Sequence, residues 1–203
     1  MDKKTVETQE LIIRAAKKVF AKKGLAGARM QEIADEAGIN KAMLHYYYRS
    51  KDGLFEYVFQ EAFVKLLRPV TAFLADDSEL FQKIRNLCRH YYAVLSDYPF
   101  LPNFVMNEIN LAPDKLLKLM EFEGVVEAKV NTMRQIDDAI KNGVIRPIDP
   151  RDLVLHIISL CVFPFASKPI SSKILFAGED IDDFLSNRAD RVADFIIASI
   201  KLK

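Results

Sequence analysis

The sequence predicts an all-helical protein, and three observations lead there. Half of its 203 residues are hydrophobic, and they recur three and four positions apart rather than two. Seven glycines and eight prolines sit among abundant Leu, Ile, Ala, Lys and Glu, and no extended alternating run suggests a strand. All eight prolines lie at position 69 or beyond, so the composition changes near Arg68-Pro69. The expected organisation is a small domain over residues 1–50, a connecting helix over 51–68 and a larger helical domain over 69–203.

The first helix is expected from about Thr5 to Lys23, where Leu11, Ile12, Ala15, Ala16, Val19 and Phe20 follow helical spacing and Gly24 can close the run. The stretch Arg29–Lys51 then reads as two short helices about a tight turn. In the first of these, Met30, Ile33, Ala34 and Ala37 share one face, and Gly38 can take the positive φ that ends it. Asn40 is placed to cap the next, Lys41–Tyr47, whose Leu44 is expected to turn inward with Tyr48, Ile33, Ala37 and Ile39. Lys41, Ala42, Met43, His45, Tyr46 and Tyr47 are left facing outward.

A solvated helix has little reason to expose Met, His and two tyrosines together, whereas a DNA major groove offers thymine methyls, base-edge acceptors and phosphates to such a set. The plainer alternative is a protein contact. Ser50 can cap a further helix, with Lys51 at its first position, where free amides and a cationic head converge on one anion such as a phosphate. That fourth helix carries Leu54, Phe55, Val58, Phe59, Ala62, Phe63, Leu66 and Leu67 and is expected to stop before Pro69. Its apolar surface is too wide for one small partner, which marks it as the mechanical link between domains.

Beyond Pro69, a helix is expected from Glu79 to Ser96, and Phe100, Phe104, Met106 and Ile109 fall on a short one broken by Pro113. A single long helix, Asp114–Lys141, should end at Asn142-Gly143. Asp152–Phe165 is apolar around most of its circumference, so it must be covered on several sides. After a loop with Pro169 and Gly178, the last helix should run from Ile181 to about Leu202, with Phe184, Leu185, Ala189, Val192, Phe195, Ile196 and Ile200 in one stripe. That stripe either closes the domain's own core or meets a second copy of the chain.

The formal net charge is only +1, so the whole chain has no basic signature. Residues 1–68, however, carry 13 Lys/Arg against 9 Asp/Glu, and residues 69–203 carry 16 against 19. The positive potential therefore lies with the outward-facing short helix. A difference of this size would be unremarkable alone. Cys88 and Cys161 sit in apolar helical patterns and are expected to be buried free thiols in a reducing compartment. The start, MDKKTVETQE, has no apolar core, and Leu153–Ala166 is shorter than the roughly 20 residues of a spanning helix. The expected location is the cytoplasm, with no membrane partner.

The Arg29–Lys51 stretch resembles the amino-terminal domain of the TetR/AcrR family of transcriptional regulators. The family pattern of I-A-x-x-A-G-[IV]-[ST], then L-Y-x-[HY]-F-x-[ST]-K, is matched at Ile33, Ala34, Ala37, Gly38, Ile39, Leu44, Tyr47, Ser50 and Lys51. The resemblance implies that Lys41–Tyr47 is the recognition helix. Lys41, Ala42, Met43 and His45 then become candidate base readers with Gln31 reaching in beside them, and Tyr46, Tyr47 and Lys51 become phosphate contacts. Three positions depart from the pattern: His45 replaces the usual Tyr, Tyr48 the usual Phe, and Ala28-Arg29 the Ser/Thr before the second helix. These bear on the DNA sequence read. An imidazole at position 45 is also expected to favour phosphates more when protonated. Some of the basic face of Lys17, Lys18, Lys22 and Lys23, ordinarily just solvated, could touch the DNA backbone.

The resemblance further implies a homodimer through the last two helices, a palindromic operator in double-stranded DNA, and a small-molecule pocket in the carboxy-terminal domain. No motif transfers to that pocket. Tyr91, Tyr92, Phe100, Phe104, Phe122, Met133, His156 and Phe163 are nominated as lining it, a set suited to a small apolar or aromatic effector. For any one of them core packing is the better reading. No cofactor, no metal site and no catalytic residue is expected. Cys88 and His90 fall on different helical faces, and neither a glycine-rich phosphate loop nor H-E-x-x-H nor C-x-x-C occurs. The function expected is a ligand-released DNA-binding repressor. The alternatives are a helical protein-interaction module or an enzyme using the carboxy-terminal cavity.

Overall fold

The computed structural model describes residues 3–111 and 113–202. These form twelve helices: α1 (Lys3–Gly27), α2 (Met30–Ala37), α3 (Lys41–Tyr47), α4 (Lys51–Ala75), α5 (Leu80–Asp97), α6 (Leu101–Leu111), α7 (Pro113–Phe122), α8 (Val125–Lys141), α9 (Pro150–Ala166), α10 (Lys168–Ile174), α11 (Ile181–Ser186) and α12 (Arg188–Ile200). The chain divides into two compact units, Met1–Phe63 and Val64–Lys203, so the division falls within α4.

In the first unit, Ile12, Ala15, Ala16 and Phe20 of α1 are buried with Ile33 and Ala34 of α2 and with Leu54, Phe55 and Val58 of α4. Phe20 meets Phe55 edge-on, centroids 4.8 Å apart. Gly24, at φ 64°, breaks α1 before its last residues. The lysines opposite the buried face are not simply solvated. Lys17 pairs with Glu61 at 2.6 Å, Lys18 with Glu36 at 2.8 Å and Lys23 with Glu32 at 2.7 Å. Three of the four lysines of that face are thus spent on neighbouring carboxylates.

In the second unit α5 is the centre. Its Leu80, Ile84, Leu87, Cys88, Tyr91, Tyr92, Val94 and Leu95 are buried, with α12 packed along one side and α9 on another. Val192, Ala193, Ile196, Ile197 and Ile200 of α12 supply the facing stripe. Arg85–Asp194 at 2.6 Å and Arg89–Asp190 at 2.7 Å flank the α5–α12 contact. Ile145, fully buried, bridges Lys201, and Arg146 N–H donates to the Ile200 carbonyl at 2.8 Å, which ties the Val144–Pro150 connector to the end of α12. Asp149 caps α9 by accepting from Arg151 N–H at 2.8 Å. The Arg151 guanidinium beside it holds its carboxyl down at about 2.

Four expected boundaries are corrected. α4 does not stop at Pro69 but runs through it to Ala75. Proline costs the helix one hydrogen bond, and the burial of Leu66, Leu67 and Val70 on either side offsets it. The long helix Asp114–Lys141 is two helices, because Gly124 adopts φ 76° between α7 and α8 and its N–H turns back to the Glu121 carbonyl. The loop around Pro169 contains α10, for proline is well placed in a first turn. The last helix is interrupted at Ser186-Asn187. There Ser186 Oγ donates to the Asp183 carbonyl at 2.7 Å and Asn187 donates to Ser186 Oγ, so both side chains compete with the helical ladder.

The α5–α12 seam should set the stability of the second unit. Ile196→Ala, at a buried position of that seam, is expected to cost about 2–5 kcal/mol, read as a lower urea midpoint for its unfolding with an unchanged slope.

Candidate functional site

The first site is built from α2, the turn and α3. α2 ends in Gly38 at φ 67°, whose N–H bonds the Asp35 carbonyl at 3.1 Å, while Ile39 N–H bonds that of Ala34 at 3.0 Å. These two bonds satisfy carbonyls that a helix end leaves open. Asn40 then accepts from Met43 N–H through its side-chain oxygen at 2.7 Å and starts α3. Leu44, fully buried, fixes the face of α3 that points inward.

On the other face, Lys41, Ala42, Met43, His45 and Tyr46 are exposed, Tyr46 to 83%. Tyr47 is half-buried, and its ring meets that of Tyr46 edge-on at 5.3 Å. His45 sets Nδ1 3.3 Å from the Arg49 carbonyl oxygen. Gln31 is exposed but donates to Asp35 Oδ1 at 2.8 Å, a bond it must exchange to reach a partner. Lys51, half-buried, sits at the first position of α4, where Ser50 Oγ accepts from Gly53 N–H at 3.1 Å. The Tyr48 ring lies 5.7 Å from that of Tyr57, and burial first and Tyr57 second push its phenol up to about 12.

Arg29 precedes α2 in extended conformation and offers it no side-chain cap, while Ala28 is buried. Glu32 in the first turn is steadied instead by Lys23, whose hydrogen bond holds its carboxyl below the usual carboxylate range against the opposing effect of burial.

The second site is a cavity of about 680 Å³ inside the second unit, walled by α4, α5, α7, α8 and α9. Its walls are mostly aliphatic: Leu67, Val70, Leu74, Ile84, Leu87, Met120, Val125, Ile136 and Val154 among them. Of the nominated residues, Tyr91 and Met133 line it. Burial raises the Tyr91 phenol well above its ordinary range, so it stays a neutral hydroxyl.

The other six nominated residues stand elsewhere. Tyr92 turns to α9, donating to the Leu160 carbonyl at 3.3 Å with its ring 5.3 Å from Phe165, and burial pushes its phenol up to about 12. Phe100 is half-buried beside Tyr98, and Phe104 is half-buried on α6. Phe122, His156 and Phe163 are exposed, Phe122 to 82% and Phe163 to 68%. The wall of this cavity is made mostly of ordinary aliphatic positions that no motif distinguishes from core.

One wall residue did carry a signal. Lys83 lies on the apolar stripe of α5 with Leu80, Ile84 and Leu87, and its side chain is 1% exposed. Glu121, Lys129 and Arg151 are the other charged residues of the lining, and all are exposed. Among the described residues no cluster of His, Cys, Asp or Glu is arranged to hold a metal ion. Cys161 meets Cys88 in the core, and that contact together with burial raises its thiol far above the ordinary value, the opposite of an activated nucleophile. No single helix among the described residues is long and apolar enough to cross a membrane.

A glycine-turned helix pair with an outward polar and aromatic face, followed by a helical unit with its own cavity, defines a helix-turn-helix transcriptional regulator. Residues 12–58 match the family described as bacterial regulatory proteins, tetR family, and residues 81–197 match the tetracyclin repressor-like C-terminal domain; the chain belongs to the TetR family. It is 32% identical over 151 residues to the HTH-type transcriptional regulator RutR of Escherichia coli strain K12, covering 73% of this chain and 69% of that protein. With the HTH-type transcriptional repressor NicS of Pseudomonas putida it shares 31% over 143 residues, 70% of this chain and 61% of the other. Its fold is that of a HlyIIR mutant, with TM-score 0.64, 24% identity and coverage of 98% and 100%. It is also that of Bacillus subtilis FadR solved with stearoyl-CoA, with TM-score 0.60, 15% identity and coverage of 94% and 98%.

The Asn40 cap is a discrete test of how α3 is held. Asn40→Ala is expected to lower the stability of the first unit by about 1 kcal/mol, measured by urea unfolding, and to reduce the helical circular dichroism signal without changing that of the second unit's thermal transition.

Proposed function

We propose that the protein is a homodimeric, cytoplasmic repressor that leaves a palindromic operator when a small apolar or aromatic effector occupies the cavity of the second unit. The observation that carries this reading is the exposed face of α3, where Lys41, Ala42, Met43, His45 and Tyr46 stand clear of the protein on a helix anchored by Leu44. In this reading Lys41, Ala42, Met43 and His45, with Gln31, read base edges, and Tyr46, Tyr47 and Lys51 hold phosphates. Lys41, Arg49 and Lys51 make no ion pair among the described residues, while the acidic residues of α2 are partly neutralised by α1, which favours an anionic partner.

Pairing of two copies through α9, α11 and α12 is supported by their exposed aromatics: Phe163 at 68% and Phe195 at 65% stand outside a core already closed by Ile196 and Ile200. A twofold dimer presents two α3 helices, and operators of this kind place half-sites about 34–36 Å apart or a multiple of that. The effector class is supported by a predominantly aliphatic wall with one phenol, Tyr91, in which Lys83 is the one buried charge and Glu121, Lys129 and Arg151 are exposed. Release requires that the effector bind one arrangement of the second unit better than another.

Selection from random duplexes should return a palindrome. Affinity for it should fall steeply with salt, and Lys51→Ala should weaken binding across sequences and cut the salt slope by about one. A salt-insensitive interaction would instead favour a protein-docking module.

Phe195→Glu is expected to convert the dimer to monomer in light scattering while the far-ultraviolet spectrum stays helical. A dimer that survives this change would place the pairing surface elsewhere. Dodecanoate or 1-naphthol, tested by thermal shift, should raise the midpoint where glucose 6-phosphate does not. Chemical turnover of either probe would support the enzyme reading.

A further inference from the structure

Resting on the regulator reading above, we propose that Lys83, Asn131, Thr132 and Gln135 form a polar latch on the end of α4 and that this latch couples occupancy of the cavity to the helix. A helix leaves its last carbonyls without intrahelical partners. At the end of α4 they are taken up by side chains from two other helices. The Leu74 carbonyl lies 3.2 Å from Thr132 Oγ1, whose single proton is shared with the Ala128 carbonyl at the same distance, and accepts from Lys83 Nζ at 3.4 Å, while the Ala75 carbonyl accepts from Asn131 Nδ2 at 3.0 Å. The next carbonyl, that of Asp76, accepts from Lys83 Nζ at 2.9 Å. Gln135 closes the ring, with Oε1 accepting from Lys83 Nζ at 2.6 Å and Nε2 donating to the Ser78 carbonyl at 2.8 Å.

Two features separate this arrangement from ordinary capping. The first is the cost of the lysine. Its side chain is 1% exposed and its nearest carboxylate, Asp76 Oδ1, is 3.5 Å away and partly in solvent. A buried ammonium is tolerable only when its donors are engaged, and here three carbonyl oxygens engage them. A methionine would fill the same space without that cost, so the lysine is accounted for by what it grips.

The second feature is position. Leu74, Lys83 and Thr132 belong both to the latch and to the cavity wall. A molecule that moves the wall must therefore move the grip. Hydrogen bonds weaken steeply once their angle falls below about 120°, so a displacement of α8 weakens the bonds that Asn131, Thr132 and Gln135 make to the end of α4 and the residues after it. α4 is a single helix from Lys51, the position assigned to phosphate, to Ala75, the residue held by Asn131. The latch is therefore the place where the second unit holds the helix that continues into the first. These four are positioning residues, acting on DNA only through α4.

The test fills the cavity with a side chain, so that no effector need be known. Val154, on the α9 wall, is changed to Trp, and the affinity of the full chain for the selected palindrome is measured in a double-mutant cycle. Val154→Trp is expected to shift the operator Kd by about fivefold or more in the wild-type background. In Thr132→Val, which removes only the hydroxyl, and in Asn131→Ala, the shift should shrink to less than twofold. Thr132→Ser should keep it. Lys83→Met is the stronger variant, and the two milder ones decide the matter if it fails to fold.

An undiminished shift in folded Thr132→Val and Asn131→Ala overturns the latch, as does the absence of any shift in wild type, while operator binding itself stays intact. Failure of the wild-type chain to select any duplex is a different result, which removes the regulator reading and the latch with it.

Discussion

A seven-residue helix cannot hold its own shape in water. Fixing the first turn costs more than so few hydrogen bonds return, so α3 exists only because its surroundings impose it. Three small features do so: the left-handed Gly38, the Asn40 cap and the burial of Leu44. All three lie on one side or at one end of the helix. The opposite side carries no buried residue, so Met43, His45 and Tyr46 stand exposed without loss of the anchor. Anchoring and display are thus separated on one short helix.

The electrostatics follow the same division. A net charge of +1 hides a local arrangement in which α1 spends Lys18 and Lys23 on Glu36 and Glu32 of α2. These exposed or half-exposed pairs contribute little stability. Their larger effect is on the field: they cancel acidic charge beside the reader and leave Lys41, Arg49 and Lys51 uncancelled by ion pairs among the described residues. Whole-chain charge was therefore a poor guide, and the imbalance within residues 1–68 a better one.

The all-helical class and the two-helix reader were legible because their signals are local. Gly38 marks a backbone conformation, Asn40 marks a cap, and the spacing of Ile33, Ala34, Ala37 and Leu44 marks a face. The boundaries that failed were decided by longer-range packing. Pro69 reads as a stop, yet Leu66, Leu67 and Val70 are buried on both sides of it and carry α4 onward. Gly124 stands in an otherwise helical pattern, and nothing nearby in sequence announces that it will take φ 76°. The cavity was least legible. Phe122 and Phe163 were attractive as aromatics, but a wall position is defined by what several helices leave unfilled, and Val125, Val154 and Met120 carry no mark of that.

Lys83 shows which kind of irregularity repays scrutiny. A charged residue at an apolar register contradicts the pattern around it, and such a contradiction persists only where something offsets its cost. For Phe122 the departure is merely an exposed ring, which surfaces tolerate. For Lys83 it is a buried ammonium, which interiors do not tolerate without engaged donors. The asymmetry gives a rule for weighing anomalies in a helical chain: an apolar group outside says little, and a charged group inside demands a partner. In this protein the partners are the Leu74 carbonyl in the last turn of α4, the Asp76 carbonyl just beyond it, Gln135 Oε1 and, at 3.5 Å, the Asp76 carboxylate, so the residue that most disturbs the sequence pattern lies where α4 ends.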